Sequence, residues 1–136
     1  MINPDKKQVF ETSDYFYQLG TAFAEFIQNN KFNLTDEERN ELFDKQIELL
    51  QIAGKINMIG VSLIFEDVAD FLSELNEITS AVKKTIKKAS AIHDVINLAT
   101  VTADIGTSII VKDAQLIIKN TLKLKTVLQS FKEKKI

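Results

Sequence analysis

His93 is the only histidine in the chain and the only side chain whose ordinary pKa lies near neutrality, so acid-base chemistry would fall to it first. The residue three positions before it is Ser90. The Glu-x-x-His spacing that puts two ligands on one turn for carboxylate-bridged di-metal chemistry is therefore missing. Asp70 and Glu74 share a helical face, and Glu74 and Glu77 are neighbours on it, but carboxylates so spaced read as a solvated surface. Cysteine is absent, which removes disulfides, thiolate metal sites and thiol nucleophiles. Ser62 and Ser108 have no base nearby in sequence, and Gly60 and Gly106 are followed by neither a glycine-rich run nor Gly-Lys-Ser/Thr, so no phosphate loop is present. The reading is of a non-enzyme with no catalytic residue, metal ligand or cofactor.

The strongest pattern concerns architecture. Ile59-Gly60-Val61-Ser62-Leu63-Ile64-Phe65-Glu66-Asp67-Val68 returns 46 positions later as Ile105-Gly106-Thr107-Ser108-Ile109-Ile110-Val111-Lys112-Asp113-Ala114, with five identities. Upstream, Glu48 to Ala53 matches Asp94 to Ala99 in charge and apolar class at the same offset. The pattern predicts a duplicated helix-turn-helix unit: a glycine that stops one helix, an apolar connector, and an aspartate that caps the next. At this offset His93 replaces Ile47, which predicts a half-buried structural histidine.

With one proline, Pro4, and four glycines, little interrupts helices after the first residues. A first helix is expected from about Ser13 to Asn29, with Phe16, Leu19, Phe23, Phe26 and Ile27 on one face. Thr35-Asp36-Glu37-Glu38 is a capping box that opens a second helix, to about Met58, with Leu42, Phe43, Ile47, Leu50 and Ala53 towards the core. Asp67 is expected to cap a third helix bearing Val68, Phe71, Leu75, Ile78 and Val82. A fourth, from Ala91 to Asp104, is apolar on most of its circumference and so central. The last runs from about Asp113 to Lys132. The expectation is an all-α protein, one domain over residues 1–136: an arm over 1–12, an aromatic-rich helix and loop over 13–34, and two hairpins over 35–88 and 89–136 in a compact bundle of about five helices.

The chain of 136 residues is long enough to hold a core without staples. Uncharged stretches such as Ile56 to Phe65 and Val95 to Ala103 fall well short of the roughly 20 apolar residues that cross a bilayer as a helix. Without a secretory-type start, a cytoplasmic setting is the default, and sixteen lysines against one arginine suggest an AT-rich bacterial or phage genome.

The net charge of -2 conceals a polarity: residues 1–79 hold six basic and fifteen acidic side chains, while 80–136 hold eleven lysines and four acids. The first explanation is structural, with the acidic start of the second helix (Asp36, Glu37, Glu38, Glu41) lying beside the basic end of an antiparallel third helix. The second is an anion-binding pole at Lys83, Lys84, Lys87 and Lys88. No arginine or aromatic is interleaved with these lysines, which disfavours nucleic acid.

The connectors are apolar where turns are usually polar. They either fold inward as extra helical turns or form an exposed patch, with Leu63, Ile64, Phe65, Ile109, Ile110 and Val111 as the candidate contacts. The leading functional expectation is a protein-binding module of the inhibitor, immunity or adaptor kind, which uses its acidic half or its apolar pole. Its partner is another protein, with a second copy of the chain also a candidate. A membrane-interacting hairpin protein with apolar tips at 59–65 and 105–111 stands second, and an anion or nucleic-acid binder third.

Overall fold

The computed structural model describes residues 6–59, 69–88, 92–111 and 113–133. They form five helices and, among the described residues, no strand: α1 (Lys6–Asn29), α2 (Asp36–Ile59), α3 (Ala69–Lys88), α4 (Ile92–Ile110) and α5 (Ala114–Glu133). This is the all-α bundle expected. The first helix begins at Lys6, seven residues before the expected Ser13, so most of the expected arm is helical.

The starts of α2 and α5 have a local cause. Thr35 Oγ1 accepts from the Glu38 amide (3.1 Å), and the Thr35 amide donates back to Glu38 Oε1 (2.8 Å), so the capping box satisfies two amides that the first turn leaves free. Asp36, Glu37 and Glu38 in that turn suit the positive end of the helix dipole, as Lys87 and Lys88 suit the negative end of α3. Asp113 Oδ1 accepts from the Leu116 amide (3.1 Å) and caps α5 as the sequence indicated. Asp67 lies outside the described residues.

Of the two expected hairpins, the second, α4 with α5, is present, and the first is not. Helix α2 packs chiefly on α1 and α4, while α3 packs on α1 and α5, so α2 and α3 are not an antiparallel pair among the described residues. The close pairs are α1 with α2 and α4 with α5. Principal neighbours run α1, α2, α4, α5, α3 and back to α1, a closed cycle. The buried register does follow the sequence offset in part: Leu49, Ile52, Ala53 and Ile56 are buried in α2, and Val95, Leu98, Ala99 and Thr102 in α4. The neighbours of α2 and α4 differ, so among the described residues the offset is seen only in which side each helix buries.

The core joins Phe16, Leu19, Phe23 and Phe26 of α1 to Leu42, Leu49, Ile52 and Ile56 of α2, Leu75, Ile78 and Val82 of α3, and Ile117 and Leu124 of α5. Helix α4 is enclosed most, with residues from Val95 to Ile109 buried around most of its circumference. Buried hydroxyls are satisfied locally. Thr79, Thr102 and Thr121 each donate to the carbonyl four residues earlier, and Ser13 crosses from α1 to Ala53 O of α2 (2.7 Å). No buried side-chain nitrogen or oxygen among the described residues lacks a partner.

Gly106 corrects the expectation of a helix stop. It is buried inside α4, four residues short of the helix end. A methyl added there would stand 2.6 Å from Ile52 Cγ2 and 3.0 Å from Phe16 Cε1, so the glycine allows α4 to lie close against α2 with the Phe16 ring reaching in from α1. Gly54, exposed in α2, has nothing within 4 Å of such a methyl. The two glycines should answer alanine with opposite signs. Gly106→Ala should cost about 1 to 3 kcal/mol through overpacking. Gly54→Ala should gain about 0.5 to 1 kcal/mol through helix propensity. Urea unfolding of both variants checks this.

Candidate functional site

Among the described residues, His93 and Ser108 stand at opposite ends of α4, and Glu74 and Glu77 lie on α3. His93 is exposed in the first turn of α4, not half-buried. The expectation failed because the reference position, Ile47, is itself on the outer side of α2: Ile47 is 37% and Phe43 51% exposed, while the core runs through Leu42, Leu49, Ile52 and Ile56. Glu74 pairs with Lys125 (2.9 Å), and Glu77 faces solvent. Ser108 Oγ donates to Asp104 O (2.8 Å) and accepts from Asn120 Nδ2 (2.8 Å), so its hydroxyl is committed to joining α4 and α5. Among the described residues no three histidine or acidic side chains gather as metal ligands, and no helix is long and apolar enough to cross a membrane.

The apolar connectors divide. Leu63, Ile64 and Phe65 lie outside the described residues. In the second copy the stretch is helical, being the end of α4: Ile105 and Ile109 are in the core, Ile110 is half-buried against it, and Val111 is exposed. Ile109 is thereby corrected from a surface contact to a packing residue. Its side chain follows the enclosed circumference of α4, which continues past Gly106 because Gly106 does not end the helix.

The lysines are also reassigned. No ion pair among the described residues joins the acidic start of α2 to the end of α3, because α3 lies against α1. Lys83 and Lys87 border a groove of about 590 Å³ between α1 and α3, with Tyr17, Gln18, Glu25 and Asn29 opposite. Lys83 Nζ donates to Gln18 Oε1 (3.2 Å), and the Glu25 carboxylate at the same groove offsets the cationic field. Lys84 and Lys88 are exposed and do not line it. The four candidates therefore do not converge on one anion.

What the structure does assemble is an outward face of the α1/α2 hairpin. Gly20 admits the close approach: a methyl there would meet Leu50 Cδ2 at 2.9 Å. Beside that approach a shallow cleft of about 300 Å³ is lined by Phe10, Asp14, Tyr17, Leu50, Gly54 and Asn57. From Leu50 the same side of α2 continues through Ile47 and Phe43, at helical steps of three and four. Phe10 and Tyr17 are more than half exposed, as is Phe43. The sequence carried a signal for this face, the 7-residue spacing of Phe10 and Tyr17 and the second stripe 43, 47, 50, 54 beside the buried one. A second apolar group stands out on α5, where Ile118 and Leu122 are 53% and 59% exposed.

No family model matches the chain, and no curated protein and no solved structure is similar to it.

Behind the exposed face, Tyr15 packs partly against the core. Burial pushes its phenol above the ordinary value, and the Glu11 and Asp14 carboxylates push it the same way. The unfolded chain therefore loses this proton first. The contribution of Tyr15 is fully present below about pH 10 and is lost as pH rises through its higher folded value. Urea unfolding at about pH 8 and about pH 10.5 should show a smaller alkaline loss of stability in Tyr15→Phe than in the parent.

Proposed function

We propose that this protein is a non-enzymatic binding module whose outward α1/α2 face docks a lysine-bearing amphipathic helix of a partner protein. The observation that carries the reading is the exposed apolar line Phe10, Tyr17, Phe43 and Ile47 along one hairpin. Isolated exposed apolar residues are ordinary, but aligned aromatics that flank a cleft are what an interface core needs. The surrounding charge names the partner's sign. Over the whole hairpin, residues 6–59, nine acidic side chains stand against six basic ones. Two of the basic ones are already engaged within α2, Arg39 by Asp36 and Lys45 by Glu48. A cationic helix with leucine-like residues at steps of three and four would cover the apolar line and meet acid at the rim, where charge steers association more than it adds affinity.

An inhibitor, immunity or adaptor role suits such a module. The membrane alternative drew on apolar tips. With Ile105 and Ile109 in the core, only Val111 among the apolar residues of the second tip is fully displayed among the described residues.

A labelled synthetic helix with leucines at i, i+4 and flanking lysines, titrated by fluorescence anisotropy, tests the reading. Saturable binding that weakens with salt is expected, and Phe43→Ser or Tyr17→Ser should weaken it about tenfold or more with circular dichroism unchanged. Serine is used so that the net charge stays the same. Absence of binding to the parent, or binding equally strong in both variants, would refute the proposed face.

A further inference from the structure

The chain itself carries a helix of the chemistry that the α1/α2 face is suited to dock. Helix α5, Ala114–Glu133, has four lysines and a single acid, its last residue Glu133. Helix α5 buries Ile117, Thr121, Leu124 and Leu128. On its outer side it presents Ile118 and Leu122, one turn apart, with Lys119 and Lys123 beside them, all exposed. Lys125 is held by Glu74 of the same chain, which leaves Lys119 and Lys123 for an outside acid.

Resting on the docking face proposed above, we infer that its occupant is α5 of a second copy of this chain. Charge complementarity selects this occupant. Apolar side chains among acids on α2 meet apolar side chains among lysines on α5, whereas acid against acid or lysine against lysine would repel. The arrangement of helices then sets the kind of assembly. Helix α4 stands between α2 and α5 in the cycle, so the two faces look out from different sides of the bundle. Each contact uses the α1/α2 face of one copy and the α5 face of the next, a head-to-tail interface that grows until a ring closes. The small net charge of -2 puts little general repulsion in its way.

Sedimentation velocity tests this on the full chain. At low salt the average mass should rise past that of a dimer with concentration and fall back towards the monomer as salt is raised. Two variants separate the faces: Phe43→Ser with Ile47→Ser, and Ile118→Ser with Leu122→Ser, each folded by circular dichroism. Either alone should be monomeric. Mixed one to one they should form a dimer and nothing larger, because one intact docking face meets one intact α5. Should the serine pair on α5 disturb folding, Lys119→Glu with Lys123→Glu replaces it and should likewise abolish assembly. A parent that stays monomeric, an assembly that stops at the dimer, or a mixture that does not recover would overturn the inference. If the parent stays monomeric and still binds the synthetic lysine helix, the docking face stands with another protein as its occupant. If it stays monomeric and instead pellets with phosphatidylserine vesicles, the α5 face belongs to a membrane surface.

Discussion

The close approach of α4 to α2 at Gly106, where the Phe16 side chain of α1 also reaches in, is the contact on which the rest of the bundle depends. A glycine inside a helix costs about 1 kcal/mol relative to alanine. Here the space it leaves is filled by Ile52 and Phe16, both buried. Burying a side chain of that size is worth roughly 1.5 to 3 kcal/mol, so the packing outweighs the lost propensity. With α4 set against α2 and the Phe16 ring, its remaining apolar side still needs cover. Helix α5 folds back over it, tied by Asn120 to Ser108. Helix α3 then closes the cycle between α5 and α1, tied by Glu74 to Lys125 and by Lys83 to Gln18.

The parts of this arrangement that were legible in the sequence are those decided within one helix. The buried face of α1, the capping box at Thr35 and the cap at Asp113 follow from spacing and local hydrogen bonding, and the central place of α4 follows from its having almost no polar side. The buried face of α2 was not legible. Its two apolar stripes lie side by side, one through Leu42, Leu49 and Ile56 and the other through Phe43, Ile47 and Leu50. Periodicity finds both, but only the positions of α1 and α4 decide which is covered. Gly106 is ambiguous for a related reason. A glycine near a helix end signals a stop as readily as a close contact, and the difference is made by residues more than fifty positions away.

The exposed stripe of α2 is also why the proposed docking face is not legible in the sequence. Reading Phe43 and Ile47 as core removed from view the side chains that, with Phe10 and Tyr17, make the outer line of the hairpin. The pairing of helices added to this. Neighbours in sequence usually pack together, and an antiparallel α2 and α3 would have accounted for the opposite charges of the two halves by mutual screening. Placing α3 against α1 removes that account and leaves the acid of α2 and the lysines of α5 facing outward, apart from one another.

Charge separation of this kind is not needed for the stability of the fold. The ion pair between Lys125 and Glu74 is half exposed, and such pairs contribute on the order of 0 to 1 kcal/mol. Core packing at Phe16, Leu49, Leu98 and Ile105 would proceed with the surface signs mixed. What segregation changes is which surfaces tolerate contact. Exposed apolar side chains attract any other apolar surface, without direction, and a protein that displays them on two sides invites indiscriminate clustering. Acid around one set and lysine around the other makes like contacts repulsive and unlike contacts favourable. The apolar area then supplies the tendency to associate, and the charges decide which face meets which.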